Sequence, residues 1–199
     1  MGKSFGFDLD NTLIDYSEAV AEFCKINSLP LCNDIGNLKL MLRKFSDSDH
    51  EWQLAQSWLY TSGLEFAQLG LGSIDLISYL SQKGYHLYIV SHKTSHTPKF
   101  CGQVPLHDLA NNWIRKSALS SYFKDPERIY FEPTRKAKVG IIRKLSLDYF
   151  VDDLEEVFEE PNFPSHTKRI LIYKSGSQNS TLKCVIDFKS IREILADGF

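Results

Sequence analysis

Short apolar runs that alternate with helical segments constrain the fold of this chain more than any other feature. The runs are rich in aromatic and branched residues, as expected for strands buried on both faces of a parallel sheet, and they cover residues 4–9, 85–90, 128–131, 149–151 and 169–173. Apolar residues at helical spacing occupy residues 73–84, 106–117, 134–145 and 190–196. This alternation predicts an α/β fold, a Rossmann-like open parallel sheet with helices on both faces.

The segment between the first two runs has a different character. From residue 16 to about residue 72 the apolar residues recur at helical spacing and no β-rich run appears, which predicts three or four helices. Ser17 and Asp49 are candidate N-caps, and Pro30 and Gly36 interrupt the pattern. We therefore predict a small all-helical insertion at residues 15–72 and a core domain made of residues 1–14 and 73–199.

The composition excludes several functional classes. The 199 residues have a net charge of −2 and an apolar content of 43%, which argues against a disordered chain and a strongly basic nucleic-acid binder. No run approaches the ~18 consecutive apolar residues that a membrane helix needs, and the four cysteines form no C-x-x-C pair. We expect a cytoplasmic protein with reduced thiols and with no nucleic-acid or membrane partner; the oligomeric state stays open.

Chemically versatile residues stand at the ends of the predicted strands. Ligands of open α/β sheets bind beyond the carboxyl ends of the strands, so residues at these positions are candidates for one common site. They are Asp8, Asp10 and Thr12 after the first strand, Ser91 at the end of the second, Lys136 and Lys138 in the helix after the third, and Asp152 and Asp153 after the fourth.

This set of side chains suits a phosphoryl group bound together with a divalent cation. Carboxylates that converge on one point repel one another unless a cation lies between them, and Mg²⁺ prefers oxygen ligands. A hydroxyl and an ammonium group can hold phosphoryl oxygens. Two acids separated by one residue can act as nucleophile and proton donor. The pattern therefore predicts phosphoryl chemistry that depends on Mg²⁺.

The order of these motifs resembles that of the haloacid dehalogenase-like (HAD) phosphohydrolases. The sequence FDLDNTL at residues 7–13 resembles the D-x-D-x-T signature of that family. Val90 and Ser91 resemble its second motif, the lysine region its third, and the double aspartate that ends FVDD at residues 150–153 its fourth. The resemblance covers nearly the whole chain and depends mainly on the order of the motifs.

The resemblance implies a role for each acidic residue. Asp8 would be the nucleophile that forms an aspartyl-phosphate, and Asp10 the general acid that then becomes the base for hydrolysis, with Thr12 supporting the site. Mg²⁺ would be held by the Asp8 carboxylate, the Asp10 backbone carbonyl and an acid of the fourth motif. Asp153 is the preferred direct ligand, which would place Asp152 behind it.

The phosphate-binding lysine has two main candidates, and helical phase favours Lys138. It lies three, four and seven residues before Ile141, Ile142 and Leu145, on the apolar stripe of the predicted helix, whereas Lys136 is out of phase with them. A lysine on an apolar stripe needs a charged partner, which the acids supply. Both lysines remain open at this point.

Further residues are expected to contact the substrate. Ser91, His92 and Lys93 begin a long polar loop at residues 91–105, and Tyr16 follows the first motif. The resemblance identifies the insertion with a C1-type cap, and a cap that closes over a site restricts it to small substrates. The expected substrate is a small phosphorylated metabolite, such as a sugar, polyol or nucleoside monophosphate.

Other functions compete with this hypothesis. A phosphomutase or phosphotransferase of the same fold and a non-catalytic binding protein on the same scaffold stay open. A response-regulator receiver uses similar residues, but in a different order and without a helical insertion.

Two residue groups have alternative interpretations. His92, His96 and His107 could bind zinc, although the Ser- and Thr-rich context around Pro98 favours a loop. The aromatic residues of the insertion could line a pocket, although their helical spacing favours its core; they are Trp52, Trp58 and Tyr60.

Overall fold

The computed structural model describes residues 2–44, 49–172, 183–185 and 187–196. Within these ranges there are eight strands: β1 (Ser4–Phe7), β2 (Ile14–Asp15), β3 (Gln68–Leu69), β4 (His86–His92), β5 (Ile129–Glu132), β6 (Tyr149–Asp152), β7 (Lys168–Ile172) and β8 (Lys183–Val185). Six of them form a parallel sheet in the order β5-β4-β1-β6-β7-β8. The predicted fold class is confirmed. The prediction missed β8, because three residues are too few to show periodicity, and residue 173 of the fifth predicted strand lies outside the described residues.

Both faces of this sheet are covered by helices. The helices α4 (Ser73–Gln82), α5 (Leu106–Lys116) and α8 (Phe188–Ala196) contribute to the apolar cluster on one face. On the other face lie α6 (Arg135–Lys144) and α7 (Glu155–Phe158). Successive residues along β6 and β7 alternate between the two clusters, which explains why the strands appear in the sequence as continuous apolar runs.

The central strand β1 leaves room for the side chains of Leu147 and Phe150 because it contains Gly6. A Cβ added at Gly6 would lie 2.5 Å from Leu147 Cδ1 and 2.7 Å from Phe150 Cδ2, closer than real contacts allow. The flanking Phe5 and Phe7 fill the opposite face, with ring centroids 4.9 Å apart. A side chain at position 6 would therefore displace Leu147 and Phe150.

The strand order creates a crevice beside β1. The chain runs from β1 to β4 and β5 on one side, and then crosses to β6, β7 and β8 on the other. The carboxyl end of β1 is thus a topological switch point, where open α/β sheets bind their ligands.

The insertion contains α1 (Ser17–Ile26), α2 (Ile35–Arg43), α3 (His50–Leu59) and a 3-10 turn at Ser62–Glu65. The insertion was predicted to be all-helical, but it also contains a short strand pair. β2 and β3 pair antiparallel where the chain leaves the sheet and returns to it. The two connections run so close together that Gly70 N donates to Leu13 O over 2.9 Å, and a Cβ at Gly70 would lie 2.7 Å from Thr12 O. Two-residue strands leave no periodic signal in a sequence.

The predicted N-caps are only partly correct. Ser17 is the first residue of α1, and its backbone N and its Oγ donate to Asp15 Oδ1 over 2.9 and 2.5 Å. Asp49 stands at the N-cap position of α3 without capping it, because Arg43 Nε and Nη2 bind its carboxylate over 2.7 and 3.1 Å. A charged partner thus competes for the oxygen atoms that a cap would use.

Two smaller expectations concern membranes and thiols. Within the described residues, no helix is both long and apolar enough to cross a bilayer. Cys24, Cys32 and Cys101 are free thiols.

Candidate active site

Asp8 and Lys138 meet at the carboxyl end of β1. Asp8 directly follows the strand, and its backbone N donates to Val151 O over 2.8 Å. Lys138 lies in the first turns of α6, which Thr134 caps by accepting from Ala137 N over 3.1 Å. Lys138 Nζ is 2.5 Å from Asp8 Oδ1 and 2.6 Å from Asp152 Oδ2.

The two candidate lysines have different environments. Lys138 is buried, whereas Lys136 is exposed. The structure therefore brings Lys138, and not Lys136, to the strand ends, as the helical phase predicts.

Burial makes the ionisation of this cluster costly. Removal from water raises the pKa of Asp8 to about 7, and the neighbouring Asp152 and Asp10 act in the same direction against the opposing effect of Lys138. Burial disfavours the charged form of Lys138, but Asp152 and Asp8 outweigh it and raise the lysine pKa above its ordinary value. The ammonium group thus stays charged between its two carboxylates.

A third carboxylate completes an acidic group. Asp8, Asp152 and Asp153 each offer an oxygen atom, and these atoms lie within 4.8 Å of one another. Asp152 is already engaged, because Oδ2 accepts from Lys138 and Oδ1 accepts from Leu154 N over 3.0 Å. Burial and the charges of Asp152 and Asp8 raise the pKa of Asp153 well above its ordinary value.

The donor set of this group fits a magnesium ion. Three carboxylates face the single ammonium of Lys138, which leaves an excess of two negative charges when all are ionised. Mg²⁺ carries the compensating charge and prefers oxygen ligands. Since both oxygens of Asp152 already have partners, the carboxylates of Asp8 and Asp153 are the better candidates for direct ligands.

Asp10 is held by two donors on opposite sides. The Tyr16 hydroxyl donates to Oδ1 over 2.7 Å, and Lys93 Nζ lies 2.7 Å from Oδ2. The turn that positions Asp10 passes through Asn11 with φ of 59°, a left-handed conformation that Asn tolerates better than most residues. Lys93 also lies over the ring of Tyr60 in the insertion, 3.9 Å from its centroid.

Two buried hydroxyls in this region have no hydrogen-bond partner among the described residues. They are Ser91 Oγ at the end of β4 and Thr12 Oγ1 after the first motif. Buried polar atoms are nearly always paired in native proteins, so a hydroxyl that faces a cleft is available to a ligand atom placed there. Ser91 faces the same cleft as Asp8 and can donate there to a phosphoryl oxygen.

These groups form the floor of a cleft of about 440 Å³. We call Asp8, Asp10, Ser91, Lys138 and Asp153 the floor. The side of the cleft formed by the insertion, which we call the wall, consists of Gln53, Gln56, Ser57 and Tyr60.

Three of the four residues predicted to contact the substrate line the cleft, and the fourth does not. Ser91, His92 and Lys93 line the cleft. Tyr16 is buried behind Asp10 and lines a separate cavity of about 240 Å³. The expectation that Tyr16 contacts the substrate stays a prediction; in this structure its hydroxyl donates to Asp10 Oδ1.

The sequence analysis named Tyr60 as a residue that could line a pocket, but it missed Gln53, Gln56 and Ser57 because it followed only apolar spacing. Gln56, Ser57 and Tyr60 follow Gln53 by three, four and seven residues, so Gln53, Gln56 and Ser57 share one face of α3 and Tyr60 continues it just past the end of the helix. That polar stripe is a signal that could have found them. Tyr60, predicted in the core of the insertion, instead contacts Lys93 in the cleft.

The other two aromatic residues of the insertion pack as predicted. Trp52 is buried in the apolar core. Trp58 packs against Phe23, with ring centroids 5.4 Å apart.

The three histidines of the polar loop point to different partners. His92 Nε2 donates to Pro133 O over 3.1 Å, and His107 Nε2 donates to Lys93 O over 2.9 Å. His96 Nδ1 pairs with the Oγ of its neighbour Ser95. The zinc alternative therefore has no common site, and the loop contains a short 3-10 turn at Lys99–Cys101.

Solved structures match this fold over its whole length at low sequence identity. A haloacid dehalogenase-like family hydrolase from Streptococcus pneumoniae matches with a TM-score of 0.65 at 18% identity, over 98% of both chains. A predicted phosphatase from Clostridium acetobutylicum has a TM-score of 0.65 at 15% identity, over 99% of both chains. A predicted phosphoglycolate phosphatase from Haemophilus somnus has a TM-score of 0.57 at 14% identity, over 98% of both chains.

The chain thus has the fold of the haloacid dehalogenase-like hydrolases, among which the matched structures include phosphatases. No protein-family model and no curated protein sequence matches it.

Proposed function

We propose that this protein is a Mg²⁺-dependent phosphatase that hydrolyses a small phosphorylated metabolite through an aspartyl-phosphate on Asp8. The observation that carries the proposal is the floor of the cleft, where Asp8, Asp10 and Lys138 lie together with the unpaired hydroxyl of Ser91. A phosphoryl group placed there would meet a nucleophile, a proton donor and two groups that bind its oxygens.

Asp8 is suited to attack phosphorus because its environment fixes its orientation. Lys138 binds Oδ1, which leaves Oδ2 to form the bond to phosphorus as the bond to the leaving oxygen breaks. Ser91 and Lys138 then hold the phosphoryl oxygens, whose charge is stabilised best where water is excluded. Thr12, whose buried hydroxyl has no partner among the described residues, lies in the loop that carries Asp8 and Asp10.

Asp10 transfers the protons of both steps. It protonates the leaving oxygen of the substrate, and as the resulting carboxylate it takes a proton from the water that attacks the aspartyl-phosphate. Hydrolysis releases phosphate and restores Asp8. Lys93 binds Asp10 Oδ2 in this structure, so it must release that oxygen before Asp10 can act as an acid.

Magnesium would be held by the Asp8 carboxylate, the Asp10 backbone carbonyl and Asp153. When bound, it neutralises charge on the phosphoryl oxygens. Asp152 orients Lys138 through its 2.6 Å contact and stands behind the other ligands.

We further propose that residues 15–72 act as a C1-type cap over a core of residues 1–14 and 73–199. The cleft lies between α3 of the insertion and the strand ends, and its size suits a small ligand. A predicted phosphoglycolate phosphatase is among the structures with this fold, which supports a small phosphorylated substrate.

The test uses p-nitrophenyl phosphate, whose leaving group needs no protonation. The wild type is expected to release phosphate only with Mg²⁺. Asp10→Asn is expected to react once and then accumulate phospho-enzyme, visible by intact mass as one added phosphoryl group, because the water lacks a base. Asp8→Asn should gain no such mass.

Three outcomes would contradict the proposal: phosphate release by Asp8→Asn at the wild-type rate, a phosphoryl group on another residue, or no reaction in the wild type with Mg²⁺. A stable wild-type phospho-enzyme that passes its phosphoryl group to a sugar hydroxyl would indicate a mutase.

A further inference from the structure

The wall of the cleft, and the threonines of the polar loop that also line it, are polar but uncharged. Gln53, Gln56 and Ser57 project from α3, and Thr94 and Thr97 from the polar loop opposite. The three side chains of α3 offer two amides and a hydroxyl, and a glutamine amide can both donate and accept. The hydroxyls of Thr94 and Thr97 already donate to His96 O and Cys101 O. This chemistry is complementary to hydroxyl groups.

The cations of the cleft already have partners. Among its described lining residues, Lys93 and Lys138 are the two with ammonium groups, and both lie within 2.7 Å of aspartate oxygens. Burial lowers the pKa of His92, so its imidazole is neutral at pH 7. Arg135, close to His92, does not line the cleft and lies 3.8 Å from Glu160.

A second anionic group on the substrate would therefore have to compete with Asp10 for Lys93, or with Asp8 and Asp152 for Lys138. A carboxylate removed from water without a cation carries a large desolvation cost, and the floor already has an excess of negative charge. A purine or pyrimidine ring would need a stacking surface. Tyr60 has the one benzene-type ring among the described lining residues, and Lys93 covers a face of it at 3.9 Å.

We propose that the substrate is the monophosphate ester of an uncharged polyhydroxylated compound, a sugar or a polyol, and that Gln53, Gln56 and Ser57 select it by hydrogen bonding to its hydroxyl groups. The inference rests on the phosphatase function proposed above. It assigns phosphoryl transfer to the floor and the choice of leaving group to one face of α3.

Matched substrate pairs test this directly. Sorbitol phosphate and phosphogluconate differ in a terminal CH₂OH or carboxylate, as do glycerol phosphate and phosphoglycerate. The wild-type kcat/KM is expected to be at least ~10-fold higher for the uncharged member of each pair, and adenosine monophosphate is expected to be poor. The p-nitrophenyl ester measures the proposed phosphatase activity independently.

Variants of α3 locate the selectivity. Gln56→Leu should lower kcat/KM for sorbitol phosphate about 10-fold relative to p-nitrophenyl phosphate, because hydrogen bonds to the polyol are lost. Gln56→Lys should shift the ratio of each pair toward the carboxylate member. Gln82→Leu, an exposed glutamine on α4, is the matched control and should leave all ratios unchanged.

Each result separates the two proposals. Activity on p-nitrophenyl phosphate with a preference for the carboxylate members or for adenosine monophosphate would overturn this inference and leave the phosphatase function standing. Unchanged substrate ratios in both Gln56 variants would also overturn it. Absence of activity on every ester would overturn the phosphatase function and this inference with it.

Discussion

The floor and the wall of the cleft are built on opposite principles. The floor comes mainly from the strand ends of the core, and its Asp8, Asp10 and Lys138 are buried and form ion pairs of 2.7 Å or shorter. The wall comes from α3 of the insertion, and its neutral side chains are only partly buried. Lys138 is held between two buried carboxylates, whereas the partly exposed neutral groups of the wall can adapt to a ligand. We infer that the floor determines the reaction and the wall determines the substrate.

The largest expected effect is the loss of kcat when the proposed nucleophile of the floor, Asp8, is replaced. Asp8→Asn retains the size of the side chain but removes the attacking carboxylate, so kcat for p-nitrophenyl phosphate should fall at least ~10⁴-fold. Phosphate release is the measurement. Asp108→Asn, exposed on α5, is the control and should retain full activity. A loss below about 10-fold would separate Asp8 from the chemistry.

Removal of the central cation should affect folding as well as activity. Lys138→Met leaves Asp8 and Asp152 buried without their partner, so the free energy of unfolding should fall by about 3 kcal/mol or more. Chemical denaturation measures this. Lys136→Met, exposed in the same helix, should change stability by less than about 0.5 kcal/mol. Equal effects of the two substitutions would contradict the pairing described here.

Magnesium should stabilise the floor specifically. Mg²⁺ at 100 times its Kd is expected to add ~2.7 kcal/mol to the free energy of unfolding, seen as a rise in Tm. Asp153→Asn should lose most of that rise, while Asp75→Asn on the exposed side of α4 should keep it. A full Mg²⁺ response in Asp153→Asn would show that the other two carboxylates suffice.

The smallest expected effect is on kcat when the hydroxyl of Tyr16, which donates to Asp10 of the floor, is removed. Tyr16→Phe removes the hydroxyl that donates to Asp10 Oδ1 over 2.7 Å, and kcat should fall ~3- to 10-fold while KM stays nearly constant, because Tyr16 does not line the cleft. Steady-state kinetics with Tyr122→Phe as control check this. A change confined to KM would mean that Tyr16 reaches the substrate after all.

Local patterns predicted much of the floor. The apolar runs located five strands of the sheet, and Asp8, Asp10, Ser91 and Asp153 line one cleft because parallel strands end at one edge. Lys138 could be preferred to Lys136 because helical phase depends only on neighbouring residues.

Contacts between distant segments lay beyond such patterns. Lys93 binds Asp10 across 83 positions of chain, and Tyr60 reaches the cleft only because α3 packs over the strand ends. The same holds for β8 and for the β2 and β3 pair. These strands form by pairing with a neighbouring strand and are too short to show a periodic pattern in the sequence.

The amino-acid sequence alone determined the class of fold and the chemical types gathered at the strand ends, since both follow from periodicity and from the order of residues along the chain. Tertiary structure decided which ions pair, which hydroxyls stay unpaired and which face of α3 meets the cleft. Those features depend on distances between segments far apart in sequence, and such distances arise only when the insertion and the sheet pack together.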